Sequence, residues 1–138
     1  MVIALNTRTI LSIFRDMKEL KYMDVDWAAD EAVQLAEVLP LCTSATKLVL
    51  FDNEISDRGA KALAAAFAEG AMPKLERLIL YRNQIGDEGA VALAEAVGKG
   101  ALPELKELDL RSNKLSQAAK DAWKAVKAKR SGLSVSGV

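Results

Sequence analysis

A segment that occurs twice, thirty residues apart and without a gap, constrains this chain more than any other feature. Residues 48–73 read LVLFDNEISDRGAKALAAAFAEGAMP and residues 78–103 read LILYRNQIGDEGAVALAEAVGKGALP, identical at 14 of 26 positions. A third copy starts at Leu105 and decays after Leu115. A degenerate first copy can be read at Leu20-Lys21-Tyr22-Met23-Asp24-Val25, followed by DEAVQLAEVL. Self-similarity at this period is the mark of units too small to bury their own apolar face, which therefore stack on one another.

Inside each unit the apolar period changes. Leu75, Leu78, Leu80, Asn83 and Ile85 follow L-x-x-L-x-L-x-x-N-x-I, and the alternation around Leu78-Ile79-Leu80 predicts a short strand. Asp87 then suits the cap of a helix whose apolar positions, Ala90, Leu93, Ala94 and Val97, form one stripe. Gly100 supplies a left-handed end, and Pro103 stops the helix from continuing. Asp57, Ala60, Leu63, Ala64, Phe67, Gly70 and Pro73 repeat that logic. Strand-then-helix units of this length stack with their strands parallel.

This pattern, with DxGAxALAxA after it, resembles leucine-rich repeats of the ribonuclease-inhibitor type over roughly residues 20–127. The resemblance implies an α/β leucine-rich-repeat solenoid: a short, curved, right-handed βα stack, strands on the concave side and helices on the convex side. The expected organisation is an N-terminal capping helix over 1–19, with Ile10, Ile13, Phe14, Met17 and Leu20 at helical spacing. About four repeats with a C-terminal capping helix follow over 20–130, and a flexible tail over 131–138. Trp123, where Leu63 and Leu93 stand in earlier units, is expected to close the core. The first unit departs from the pattern in lacking the asparagine, with Ala28 at the equivalent place. Asn53, Asn83 and Asn113 are expected to be structural, each amide satisfying buried backbone groups where a strand turns.

Composition removes several classes of function. The chain has no histidine, which excludes Ser-His-Asp triads, Cys-His pairs and His-ligated zinc from this chain alone. Lys plus Arg equals Asp plus Glu at 19 each, so no general electrostatic attraction to nucleic acid or anionic lipid is expected. A single cysteine, Cys42, cannot form an intrachain disulfide and fits a reducing, cytoplasmic setting. No apolar run approaches a membrane span, and the N-terminus lacks the apolar core of a signal peptide. Asp24 and Asp26 are expected on the concave side with Asp109 two strands away, but no pocket or turn motif accompanies them, so no catalytic, cofactor or metal residue is assigned.

In each strand the leucines face inward, leaving alternate residues on the concave side. Read across the stack, they give the columns Asp24, Val49, Ile79, Asp109 and Asp26, Phe51, Tyr81, Arg111. The flanking columns are Trp27, Asp52, Arg82, Ser112 and Tyr22, Lys47, Arg77, Glu107. Val49, Phe51, Ile79 and Tyr81 then form an apolar square framed by Asp24, Asp109, Arg77, Arg82 and Arg111, the composition of a protein-binding surface, to which Trp27 in the outer column is also assigned. The bland alternative is that β-branched and aromatic neighbours only stabilise adjacent strands. The reading is a non-enzymatic module that binds a partner protein there, as ribonuclease-inhibitor-type repeats do. Two alternatives stand beside it: a regulator of a small GTPase, resembling the scaffolds of Ran GTPase-activating proteins and using an arginine such as Arg58 or Arg82, or a homodimer formed through the square.

Overall fold

The computed structural model describes residues 7–138; of the side chains of Thr7, Thr9 and Ile10 nothing is described. In chain order the elements are α1 (Thr7–Asp16), β1 (Glu19–Lys21), α2 (Ala29–Val38), a 3-10 turn (Leu39–Leu41), β2 (Lys47–Val49) and α3 (Ser56–Ala68). Then come β3 (Arg77–Ile79), α4 (Asp87–Gly98), β4 (Glu107–Asp109), α5 (Gln117–Lys129) and β5 (Ser134–Ser136). The strands pair in chain order, all parallel. Leu20, Leu48, Leu78, Leu108 and Val135 stand in register as one buried row beneath the sheet.

The facing layer is built by the helices. Leu35, Leu63, Leu93 and Trp123 occupy one position of α2 to α5 and are all buried. Trp123 donates its indole Nε1–H to the Ala90 carbonyl at 3.0 Å, so its polar edge is satisfied while the ring fills the core as expected. Helices α3 and α4 end as the sequence predicts: Gly70 (φ 98°) and Gly100 (φ 106°) are left-handed, and Ala71 and Ala101 donate back to Ala66 and Ala96 at 3.0 Å.

The asparagines hold neighbouring units together. Asn53 Oδ1 accepts from Val25 N and Trp27 N, while its Nδ2 donates to Tyr22 O and Leu50 O. Asn113 does the same for Asn83 N and Ile85 N, and for Leu80 O and Leu110 O. Each amide therefore stitches its own strand end to the unit before it. Asn83 donates to Leu50 O at 2.7 Å, but its Oδ1 is buried without a partner. The cause lies one unit back. Ser56 takes the left-handed turn (φ 60°) that Asp26 and Gln84 take in their units, and Ser56 N donates to Asn83 O instead.

Four expectations need correcting. The aspartates at the helix starts do not cap their own helices: Asp57 Oδ1 accepts from Gly86 N and Gly89 N at 2.8 Å, and Asp87 accepts from Ser116 N and Ser116 Oγ. They tie each helix start to the next unit. In the N-terminal segment Phe14 and Met17 pack on the core, but Leu11 and Ile13 are exposed, Leu20 belongs to β1, and the Ile10 side chain lies outside the described residues. The 131–138 segment carries β5 (Ser134–Ser136) in place of a flexible tail, because Leu133 and Val135 alternate with serines and are buried. Finally, the first unit is framed three residues earlier than expected. Lys21, not Asp24, pairs with Val49, and Val25, not Ala28, stands where Asn53 stands.

Candidate functional site

The strand register sets what faces outward. Glu19, Lys47, Arg77 and Glu107 form one row, and Lys21, Val49, Ile79 and Asp109 the next, with about 4.8 Å between neighbours. The hydrogen bonds Asp24 N to Phe51 O, Asp52 N to Tyr81 O and Arg82 N to Arg111 O extend the order to a third row, Met23, Phe51, Tyr81 and Arg111. Most members of these rows, though neither Glu19 nor Tyr81, line a shallow groove of about 350 Å³ whose walls include Lys21, Met23, Lys47, Arg77, Glu107 and Arg111.

The apolar square is assembled, but not flat against solvent. Ile79, Phe51 and Tyr81 are half-buried, with the two rings tilted by 54° at 6.3 Å between centroids. Val49 is only 4% exposed, against the expectation that it would be displayed to water. Lys21 and Ile79 flank it in its own row, so it is the floor of the groove, not a contact point on the rim.

The charged frame is already paired within the chain. Asp109, expected as a framing charge, is 6% exposed and is gripped by Arg111, Nε to Oδ1 at 3.0 Å and Nη2 to Oδ2 at 2.7 Å. That bidentate bond holds the Asp109 carboxyl below the ordinary carboxylate range, and the same guanidinium lies 5.4 Å from the Tyr81 ring centroid. Asp109 therefore orients Arg111 over Tyr81, and its own carboxylate is largely withdrawn from solvent at the side of the groove. Arg77 is paired with Glu107 at 2.7 Å and Arg82 with Asp52 at 3.6 Å. These exposed pairs are each worth about 0–1 kcal/mol. Arg58, on α3, reaches Asp30 at 2.5 Å.

Trp27 does not join this surface. It stacks on Tyr22 at 4.5 Å, packs against the core, and stands in the place that Ile55 takes in the next unit. Asp24 and Asp26 instead border a separate polar cleft of about 320 Å³ beyond the strand ends, with Asp52, Glu54, Arg82 and Lys114. The residues missed were Lys21 and Met23. Met17-x-x-Leu20-x-Tyr22-x-x-Val25-x-Trp27 carries the spacing that would have found them.

Among the described residues no cluster of Cys, Asp and Glu is placed to hold a metal ion, and no helix is long and apolar enough to cross a membrane. Cys42 is buried, and burial pushes its thiol pKa up, away from the reactive thiolate.

Comparison with known proteins agrees with this architecture. The family described as Leucine Rich repeat matches residues 42–64 and 71–94. The fold is similar to a solved structure of Leiomodin-1 Actin-Binding Site 2, with a TM-score of 0.74 at 18% identity, covering 94% of this chain and 75% of that one. No curated protein sequence matches significantly. The chain folds as an α/β leucine-rich-repeat solenoid.

Proposed function

We propose that this leucine-rich-repeat solenoid is a non-enzymatic module that binds a partner protein in the groove of its strand face. The observation that carries the reading is the half-buried cluster of Phe51, Tyr81 and Ile79 around the Val49 floor, with Arg111 held over Tyr81 by Asp109. Aromatic and arginine anchors over a desolvated floor are where binding energy concentrates in protein interfaces. Preorganisation of Arg111 reduces what must be ordered on association. The repeat subtype, ribonuclease-inhibitor-like, belongs to the same proposal, supported by a full α-helix in each of the units led by β1 to β4.

The similar structure is titled an actin-binding site, which makes monomeric actin the first partner to test. Titration of actin against the wild-type chain is paired with Phe51→Ala/Tyr81→Ala. Loss of two anchors at about 1 kcal/mol or more each weakens binding at least about thirtyfold, while the far-UV spectrum stays unchanged. If actin does not bind, the same variant pair is applied to proteins captured by the wild-type chain. A captured partner that binds both forms equally removes the groove from the account.

A further inference from the structure

The groove is not the only exposed apolar surface. Among the described residues the exposed large apolar side chains are Leu11, Ile13, Met23 and Val25, at 40–47% exposure, and all lie within the first unit or the helix before it. Val25 occupies the position at which Asn53 and Asn113 reach back to a preceding unit. Among the described residues β1 hydrogen-bonds to β2 alone. Tyr22 N and Asp24 N turn toward β2, so the alternation of a strand directs the backbone groups of Glu19, Lys21 and Met23 to the open side.

From this edge we infer that β1 pairs with β1 of a second copy of the chain, antiparallel about a two-fold axis through Leu20. Charge selects both the partner and the register. With Leu20 opposite Leu20, Glu19 of each copy faces Lys21 of the other, which makes two opposite-charge cross-strand pairs on the strand face. Moving the axis by one residue either way places Glu19 against Glu19 or Lys21 against Lys21, and both are repulsive. The favoured register also sets Met23 opposite Met17. β5, at the other end of the sheet, presents Ser134 and Ser136 and has no charges to match Glu19 and Lys21, so a head-to-tail filament lacks this complementarity. Charged residues often protect edge strands from pairing. That device works through a single repelling sign, whereas here the two signs alternate and are self-complementary. Within one chain Glu19 and Lys21 satisfy one another at 2.8 Å, a contact between half-exposed side chains that exchange across the axis replaces.

Sedimentation velocity of the full chain over a wide concentration range tests this. The wild type is expected to dimerise. Glu19→Lys and Lys21→Glu are each expected to weaken the dimer at least about tenfold, since each turns both pairs repulsive. An equimolar mixture of the two variants is expected to recover a heterodimer, because the wholly basic edge of one then faces the wholly acidic edge of the other in both pairs. Misfolding of a variant cannot produce that recovery. A wild type that stays monomeric overturns the inference, as does a dimer insensitive to both reversals or one lost only in Phe51→Ala/Tyr81→Ala. A monomer that dimerises only after residues 1–6 are removed overturns it too, by showing that the chain covers its own edge. The groove reading is measured separately: a dimer lost only in Phe51→Ala/Tyr81→Ala would make a second copy the occupant of the groove, and the other results leave that reading untouched.

Discussion

Asn53 and Asn83 are the same residue at the same place in adjacent units, yet they do different amounts of work. Asn53 accepts two backbone N–H groups and donates to carbonyls on both sides; Asn83 donates, but its buried oxygen is left without a donor. An unsatisfied buried acceptor carries a desolvation cost of about 1–3 kcal/mol. Asn53→Ala is therefore expected to destabilise more than Asn83→Ala, by about 1 kcal/mol or more in urea melts. Equal costs would mean that Asn83 Oδ1 finds a donor in solution. Asp109 yields a second prediction. Its carboxyl is held below the ordinary value of 3.8 first of all by the Arg111 side chain. The stabilisation is complete above 3.8 and is lost as pH falls through the lower folded value. Stability measured against pH should lose part of its acid-limb slope in Asp109→Asn; an unaltered slope contradicts the assignment. The structural role of the asparagines was legible in the sequence, because three copies at one position ending a strand point to a backbone need shared by every unit. The failure of one rung was not, since it depends on which way the Ser56 turn folds.

At the scale of elements, the units are bound more tightly than their apolar stripes indicate. A Cβ added to Gly89 meets Ala60 Cβ at 2.8 Å and Asp57 Oδ1 at 2.9 Å, so α3 and α4 are close enough that this position must lack a side chain. Gly89→Ala is expected to cost about 1–3 kcal/mol through overpacking and displacement of Asp57, read as a lower urea midpoint. A neutral effect would show that the helices can separate freely. The sequence displays both Asp57 and Gly89, but the bond between units is a tertiary fact, and a local reading assigns Asp57 to its own helix. The last strand was legible and overlooked: Leu133-Ser134-Val135-Ser136 alternates as a strand does, and its serines and glycines suggest a tail instead. Removing residues 131–138 uncovers β4 and the buried row beneath it. Loss of cooperative unfolding in that truncation is the expected result, and unchanged unfolding would make β5 dispensable.

For the whole molecule, the thirty-residue repeat was enough to predict the solenoid, its parallel sheet and most of the groove, because from Leu48 onward the spacing leaves a single frame. The first unit escaped it. Leu20-x-x-Met23-x-Val25 and Met17-x-x-Leu20-x-Tyr22 both satisfy the same pattern, and only the pairing of Lys21 with Val49 decides between them. That shift of three residues leaves Asp24, Asp26 and Trp27 outside the groove and brings in Lys21 and Met23. The proposed binding site for a partner protein is the groove that runs over the stacked strands from Met23 and Lys21 through Phe51 and Ile79 to Arg111, with Tyr81 beside it under the guanidinium. The most direct test is NMR of the isotopically labelled chain titrated with a partner protein, monomeric actin first. The account predicts amide and methyl shift changes concentrated at Lys21, Met23, Phe51, Ile79 and Tyr81. Changes confined to the outer faces of α3 and α4, with those residues silent, would contradict it.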